Sequence, residues 1–323
     1  MTLGDFNAVL INTLDTPNKH LQEFLDHIIK GGKGLRPKLV LLCAQYGIHN
    51  KIEAQQVAAA IELIHLASLV HDDILDGANI RRNHPALHHL CGTIPAVLVG
   101  DYLFATAFNL LSKDKNKILN EVTKAIRSMC TGEIEQLMEG SSNTVSDLKS
   151  YYRYIGQKTA ILISTACRCG SMVGCLKQSH QDLLALFGWH LGLAYQIIDD
   201  FLDLYGTSEE IGKSCYQDLR QGLLTLPVLR FLELTKKTSN WKEKIRRGLS
   251  QVEIKKLIGE TKKLRCDHYT LEIAQNHISE ALSALEKLPF NPVKDELAMI
   301  VKKISKPVEN YSTCNLDLLD NTV

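Results

Sequence analysis

Two stretches of this chain, Gln55–Val70 and Leu183–Ile198, carry apolar side chains almost all round a helical projection. A helix without a broad polar face is stable only when other helices cover it. The two stretches therefore call for a helical bundle large enough to bury both. Each ends in aspartates: the first runs into His71-Asp72-Asp73-Ile74-Leu75-Asp76, the second into Asp199-Asp200-Phe201-Leu202-Asp203. Asp72 and Asp76 share a helix face, as do Asp199 and Asp203. Like charges at that spacing are destabilising, and acids near a helix C-terminus oppose its dipole. One such cluster reads equally well as a solvated patch. Two matching clusters, each after an apolar helix, point to hard divalent cations, and magnesium favours a few carboxylates completed by substrate phosphates. An EF-hand calcium loop is excluded, because its spacing and central glycine are absent.

The rest of the chain is helical in period as well. Helices are predicted over Lys19–Ile29, Arg36–Tyr46, Ile52–Asp76, Ile94–Ser112, Asn116–Glu139, Val145–Gly156, Lys158–Leu176 and Gln181–Tyr205. They continue over Thr225–Leu234, Gln251–Lys262, Tyr269–Leu288 and Asp295–Ile304. No strand-and-hairpin series is legible, and no Gly-rich loop joins a strand to a helix. The expected fold class is all-α: a single large helical bundle around a central cavity. One domain is expected over residues 1–323, with a loosely held C-terminal tail from about Ser305.

Composition narrows the function. Lysines and arginines exceed acids by only 37 to 36, so no basic field argues for nucleic acid. The nine cysteines are odd in number and irregular in spacing, and Met1–Leu14 lacks the pattern of a signal peptide. Cys167, Cys169 and Cys175 cluster without a zinc-site spacing and read as reduced, packed thiols. No apolar run reads as a transmembrane helix of about 20 residues. A cytoplasmic protein is expected.

Metals alone do not hold phosphate, and basic partners are present. Gly31-Gly32-Lys33-Gly34-Leu35-Arg36-Pro37 sets two cations at a glycine-rich helix start, where backbone amides also face outward. Arg81 and Arg82 follow the first aspartate cluster, Lys158-Thr159 lies at a helix break, and Lys213 follows the second cluster. Each is ordinary alone. Together they imply two anionic pockets, one bridged by metal and one lined directly by cations.

These motifs, with Val99-Gly100-Asp101-Tyr102-Leu103, Gly132-Glu133 with Gln136, and Tyr195-Gln196 before the second cluster, resemble the trans-polyprenyl diphosphate synthases. The similarity runs from about Gly31 to Pro227 and more weakly to Leu297. It implies the isoprenoid synthase fold and an enzyme joining an allylic diphosphate to isopentenyl diphosphate with two to three Mg2+ ions. By resemblance, Asp72, Asp76 and Asp199 are the metal ligands, supported by Asp73, Asp200 and Asp203. Arg81, Lys158 and Lys213 grip the allylic diphosphate, while Lys33, Arg36, His65 and Arg82 form the isopentenyl diphosphate site. Thr159 and Gln196 offer neutral oxygens to the carbocation. Without the resemblance, His65 reads as a satisfied core histidine.

Product length is read one turn before Asp72, where short-chain members carry bulky aromatics and this chain has Ala67 and Ser68. The small pair predicts a C30–C40 product made from farnesyl or geranylgeranyl diphosphate, the natural length for a quinone side chain. Ile64, Leu103, Phe104 or Phe108 would set a deeper floor. The bland alternative is that Ala67 and Ser68 merely let helices pack closely, in which case a C15–C20 product is expected.

The sequence also departs from the family pattern. Tyr216 stands at a usual glycine, Leu223 at a usual lysine, and Asn83-His84-Pro85-Ala86 where Gly-Lys-Pro-Thr is typical. The run Asp218–Leu229 resembles the catalytic large subunit of heteromeric hexaprenyl or heptaprenyl diphosphate synthases, so the expected partner is either a second copy or a small non-catalytic subunit. Two rival classes remain. A terpene cyclase would have no use for Lys33, Arg36 and His65, and a regulatory subunit would be expected to lose an aspartate motif.

Overall fold

Several helices in this chain start at short polar side chains. Asn50 accepts the backbone N–H groups of Ile52 and Glu53, Asn18 accepts that of Leu21, and Ser250 and Glu253 form a reciprocal capping box. The computed structural model describes residues 3–32, 34–112, 116–141, 147–206, 216–220, 222–235 and 238–320. The helices are α1 Leu3–Leu14, α2 Lys19–Ile28, α3 Leu35–Gln45, α4 Lys51–Leu75, α5 Leu87–Cys91 and α6 Thr93–Ser112. Next come α7 Asn116–Ser141, α8 Leu148–Ile155, α9 Ile161–Val173, α10 Gln178–Tyr205 and α11 Gln217–Arg220. The last are α12 Leu226–Leu234, α13 Thr238–Arg246, α14 Gln251–Lys263, α15 Cys266–Glu286 and α16 Val293–Asp320. A π-helical turn, Gly156–Ala160, joins α8 to α9.

Two compact units divide the chain. The first comprises Met1–Ile126, Leu162–Ala185 and Phe290–Val293, the second Arg127–Ile161, Leu186–Pro289 and Lys294–Val323.

In the first unit α4 is the central element. Val57 through Ile61, Leu63, Ile64, Leu66 and Ala67 are all buried, as an all-round apolar helix requires. Its most extensive packing is with α6, followed by α3 and α1. The α4–α6 approach is close because Gly100 leaves room for the His71 ring, which a side chain there would strike. α1 was not legible from sequence; it buries Phe6, Leu10 and Leu14 along one stripe. Also unforeseen is a two-stranded hairpin, β1 Ile80–Arg81 and β2 His84–Pro85, paired antiparallel with Arg81 opposite His84. Strands of two residues are too short to show alternation. Arg82 (φ 51°) and Asn83 (φ 63°) both hold left-handed backbone, as a two-residue hairpin turn of this hand requires.

α6 corrects one expectation. By length and composition it could cross a membrane, although Asp101 lies within it. Ala96, Val99, Gly100, Leu103, Ala107 and Leu111 are buried, whereas Ile94, Val97 and Leu98 are exposed.

The second unit has its own apolar cluster. Leu204, Leu219, Val228, Phe231, Trp241, Ile254 and Leu257 meet within it, with Tyr205 and Tyr216 packed alongside. The sequence also gave no sign of α13, whose Trp241 and Ile245 belong to this cluster. The last helix, α16, continues past Ser305 to Asp320. Ser305 and Val308 are buried, and the Tyr311 hydroxyl donates to Asp267 Oδ2 at 2.9 Å.

Candidate active site

The first aspartate cluster occupies the C-terminal turn of α4. Asp73 is buried, at 4 % exposure, and its Oδ1 accepts Arg81 Nε at 2.7 Å, with Arg81 Nη2 on the same oxygen. Arg81 interacts electrostatically with Asp72 and Asp76 as well. Asp72 is half-buried and Asp76, the helix C-cap, is exposed. Burying a carboxylate is tolerable only with such a partner, and β1 supplies it.

Beside this cluster the first unit assembles most of the expected basic pocket. Arg36 Nη1 donates to His65 Nε2 at 3.0 Å. Burial, then the charges of Arg36, Arg82 and Arg81, hold the His65 pKa well below the usual imidazole value. His65 is therefore neutral, its Nε2 accepts from Arg36, and its remaining proton sits on Nδ1. Arg82 donates to the Gly31 carbonyl oxygen. Gly32 (φ 135°) holds a backbone that side chains rarely adopt, and a Cβ there would lie 2.8 Å from the tip of Arg82. The glycine pair thus seats an arginine. Sequence reasoning missed Glu62, the one acid within the apolar run of α4. It is 7 % exposed, and burial raises its pKa while Arg36 and Arg82 lower it. Its isolation among alanines and leucines was the available signal. Lys33 and Lys213 lie outside the described residues.

Below Asp72, Ala67 is fully buried, whereas Ser68 is half-buried with its hydroxyl donating to the His65 carbonyl at 2.9 Å. Of the two small residues, Ser68 is the one with accessible surface. On α6, Phe104 lies 5.9 Å from the His71 ring and stacks on Phe108 at 6.4 Å. Ile64 and Leu103 are fully buried.

The second cluster, in α10, is wired differently. Asp200 is buried and accepts Tyr151 Oη at 2.7 Å on one oxygen and Gln196 Nε2 at 2.8 Å on the other. Burial pushes its pKa up to about 7, the two hydrogen bonds pull it down, and Asp199 and Asp203 add to the rise. Burial and the charge of Asp200 keep the Tyr151 phenol protonated, with its pKa well above the usual value. Asp203 is also buried, and its oxygens accept the backbone N–H groups of Gln217 and Asp218 at 3.2 Å each. It anchors the start of α11. Asp199 keeps partial exposure. Tyr216, at the family's usual glycine, holds φ 67° with its N–H on the Asp203 carbonyl. That backbone costs a non-glycine residue roughly 1 kcal/mol, and packing against the apolar cluster compensates.

The π-turn sets Lys158 and Thr159. Its i→i+5 bonding widens the helix locally, a feature that recurs at functional sites, and three glycines make room for it. A side chain at Gly156 would meet Trp189 at 2.9 Å, one at Gly192 would meet Ala160 Cα at 2.5 Å, and one at Gly132 would meet Gln157 Cβ at 2.7 Å. Lys158 pairs with Glu133 at 3.1 Å. Thr159 Oγ1 donates to Gln196 Oε1 at 2.7 Å, joining the turn to the Asp200 network.

Among the described residues no three His, Cys, Asp or Glu side chains converge as a ready-made metal site. The donor set still fits a hard cation of the magnesium kind, which binds through one or two carboxylates and takes its other ligands from water and phosphate. In the first unit Asp72 and Asp76 keep solvent access while Asp73 is buried; in the second Asp199 keeps partial access while Asp200 and Asp203 are buried.

Residues 18–261 match the family profile described as Polyprenyl synthetase. The chain belongs to that family. Over 282 residues it is 34 % identical to heptaprenyl diphosphate synthase component 2 of Bacillus subtilis (strain 168), covering 87 % of this chain and 80 % of that one. Among solved structures it matches a decaprenyl diphosphate synthase from Rhodobacter capsulatus with a TM-score of 0.89 and 31 % identity, over 95 % of this chain and 96 % of that one. A polyprenyl synthase from Caulobacter crescentus CB15, complexed with calcium and isoprenyl diphosphate, matches with a TM-score of 0.87 and 30 % identity, over 94 % and 93 % of the two chains. The fold of this polyprenyl synthetase is the all-α isoprenoid synthase fold, and its activity is trans-prenyl transfer.

Proposed function

We propose that this synthase condenses farnesyl or geranylgeranyl diphosphate with isopentenyl diphosphate to give a C30–C40 polyprenyl diphosphate, suited to a quinone side chain. One observation carries the reading most directly. Arg36 and Arg82 both act on Glu62 and on His65, in the same unit as the Asp72–Asp76 pair. An enzyme that only ionises one diphosphate has no need of that second cationic pocket, whereas a condensing enzyme must hold two.

The residue roles follow from charge. Asp72, Asp76 and Asp199 would hold two or three Mg2+ ions with the allylic diphosphate, and those ions would supply Lewis-acid assistance to the leaving group. Arg81 and Lys158, with Lys213, offset the charge that builds on the departing oxygens. Arg36, Arg82 and Lys33 hold isopentenyl diphosphate, and neutral His65 adds a hydrogen-bond donor. The allylic C–O bond breaks and the diphosphate leaves with the electron pair. The isopentenyl double bond forms the new C–C bond, and a proton passes to the released diphosphate. Thr159 and Gln196 face the carbocation with dipoles rather than nucleophiles. We read residues 1–323 as one catalytic domain, since the family match runs across both compact units.

A partner chain is supported by α6, whose Ile94, Val97 and Leu98 are exposed on one face. An apolar patch of this kind marks an interaction surface. The partner is a second copy or a small non-catalytic subunit, and co-purification from the native cell, with activity assayed alone and recombined, separates the two. A cytoplasmic location is supported by free thiols at Cys43, Cys91, Cys130, Cys167, Cys169, Cys175 and Cys266, several of them buried.

The deciding experiment supplies magnesium, labelled isopentenyl diphosphate and graded primers, then sizes the hydrolysed products. Products of C30–C40 are expected, and nothing beyond C20 would overturn the chain length. Ser68→Phe should shorten the product by at least one isoprene unit. Asp72→Ala and Asp199→Ala should each lower kcat by about 100-fold or more while circular dichroism stays helical. Near-normal turnover in either would refute the assigned metal roles.

A further inference from the structure

Four side chains in the second unit form a continuous hydrogen-bonded line: Tyr151, Asp200, Gln196 and Thr159. Its donors are Tyr151 Oη, Gln196 Nε2 and Thr159 Oγ1, so every bond runs one way. Asp200 accepts on both oxygens, from Tyr151 Oη and from Gln196 Nε2. A planar amide has one donor end and one acceptor end, so drawing Nε2 toward Asp200 turns Oε1 toward Thr159. A hydroxyl has a single hydrogen, and Thr159 spends it on that oxygen at 2.7 Å. What Thr159 then presents elsewhere is lone pairs only.

The opposite polarity is chemically available. If the carboxylate of Asp200 turned away, the Gln196 amide could flip and donate to Thr159 Oγ1. The threonine would then point its hydrogen outward and offer the wrong end of a dipole to a cation. Gln196 and Asp200 are neighbours on one helix and hold each other only through a single bond. Tyr151, on α8, is the contact that fixes the carboxylate from another element.

The geometry points to Tyr151 as a positioning residue for prenyl transfer: its hydroxyl sets the hydrogen-bond polarity of the Asp200–Gln196–Thr159 line, so that Thr159 offers an oxygen lone pair to the allylic cation. This rests on the reading of Thr159 as a cation-facing residue. Tyr151 acts through Asp200 rather than on substrate. Its effect should therefore fall on the ionisation step and leave ground-state binding of both diphosphates alone.

A double-mutant cycle tests it. Tyr151→Phe keeps the ring and removes only the hydroxyl, and kcat should fall about tenfold with both KM values within roughly twofold of wild type. Thr159→Val removes the receiving end of the line. Adding Tyr151→Phe to Thr159→Val should leave kcat where Thr159→Val alone put it. Multiplying losses, or a Tyr151→Phe enzyme with wild-type kcat, would overturn the proposal. If Tyr151→Phe does not fold, Tyr151→His takes its place, and its kcat loss must likewise vanish in the Thr159→Val background. Failure of the wild-type chain to elongate any primer would instead condemn the prenyl-transfer reading itself, so the two failures are distinguishable.

Discussion

The two aspartate clusters share a sequence pattern and differ in how the protein holds them. In the first, the central Asp73 is neutralised by the guanidinium of Arg81. In the second, the central Asp200 is held by a phenol and an amide, with no cation among its hydrogen-bond donors. The last members diverge as well: Asp76 stands exposed at a helix end, while Asp203 is buried and holds the next helix start. Identical letters mark where carboxylates are needed, and the neighbouring elements decide how each is charged. Asp73 is held by a cation, whereas Asp200 sits among neutral donors in a dry site that raises its pKa.

Four changes would break or sharpen this contrast. The largest effect is expected at Gly192. Its missing side chain is what lets α10 approach the backbone of Ala160, so Gly192→Ala should cost about 3 kcal/mol in chemical denaturation and disturb the π-turn. Next is Asp73→Ala, which removes the hydrogen-bond acceptor of Arg81 and leaves it the charges of Asp72 and Asp76. The loss should be roughly 2 kcal/mol, below that of a fully buried pair because the Arg81 side chain is 39 % exposed to water. Smaller again is Gly100→Ala in the first unit. There the obstacle is the tip of the His71 ring rather than backbone, so the ring can yield and about 1 kcal/mol is expected.

The subtlest is a pH slope. The folded pKa of Asp200, about 7, lies above its ordinary value of 3.8. Between those two pH values the unfolded chain has lost a proton that the native state retains, so stability should fall as pH rises from about 4 to 7. Thermal melts of metal-free protein should show a flatter dependence in Asp200→Asn. An equally steep fall in that variant would assign the slope to another group.

Most of the fold was legible because the helices are long and their apolar stripes unbroken. What escaped was short or local. The hairpin at Ile80–Pro85 has too few residues for a period, and α1 is a single stripe of three buried side chains. The reach of α16 beyond Ile304 is not legible in its polar composition, since one contact along it, Tyr311 on Asp267, joins residues far apart in sequence. At the site, residue types and spacing pointed to both carboxylate clusters and to cations beside them. They could not show that Glu62 sits among those cations or that Tyr151 reaches Asp200. Both are facts of tertiary packing, and a carboxylate among alanines or a tyrosine in a helix has many possible fates. Nor could they separate Ala67 from Ser68, since adjacent helical positions differ only in which way they face.

The widened turn at Gly156–Ala160 has a consequence for anyone aligning or engineering this chain. It takes up one residue more than a regular turn, a phase change of roughly 100° along the helix. Deleting a single residue there would let the segment relax into regular coiling and swing Lys158 away from Glu133, with no charged group removed. A gap of one placed in that stretch during comparison with distant relatives thus marks the gain or loss of a lysine's aim rather than a neutral length variation.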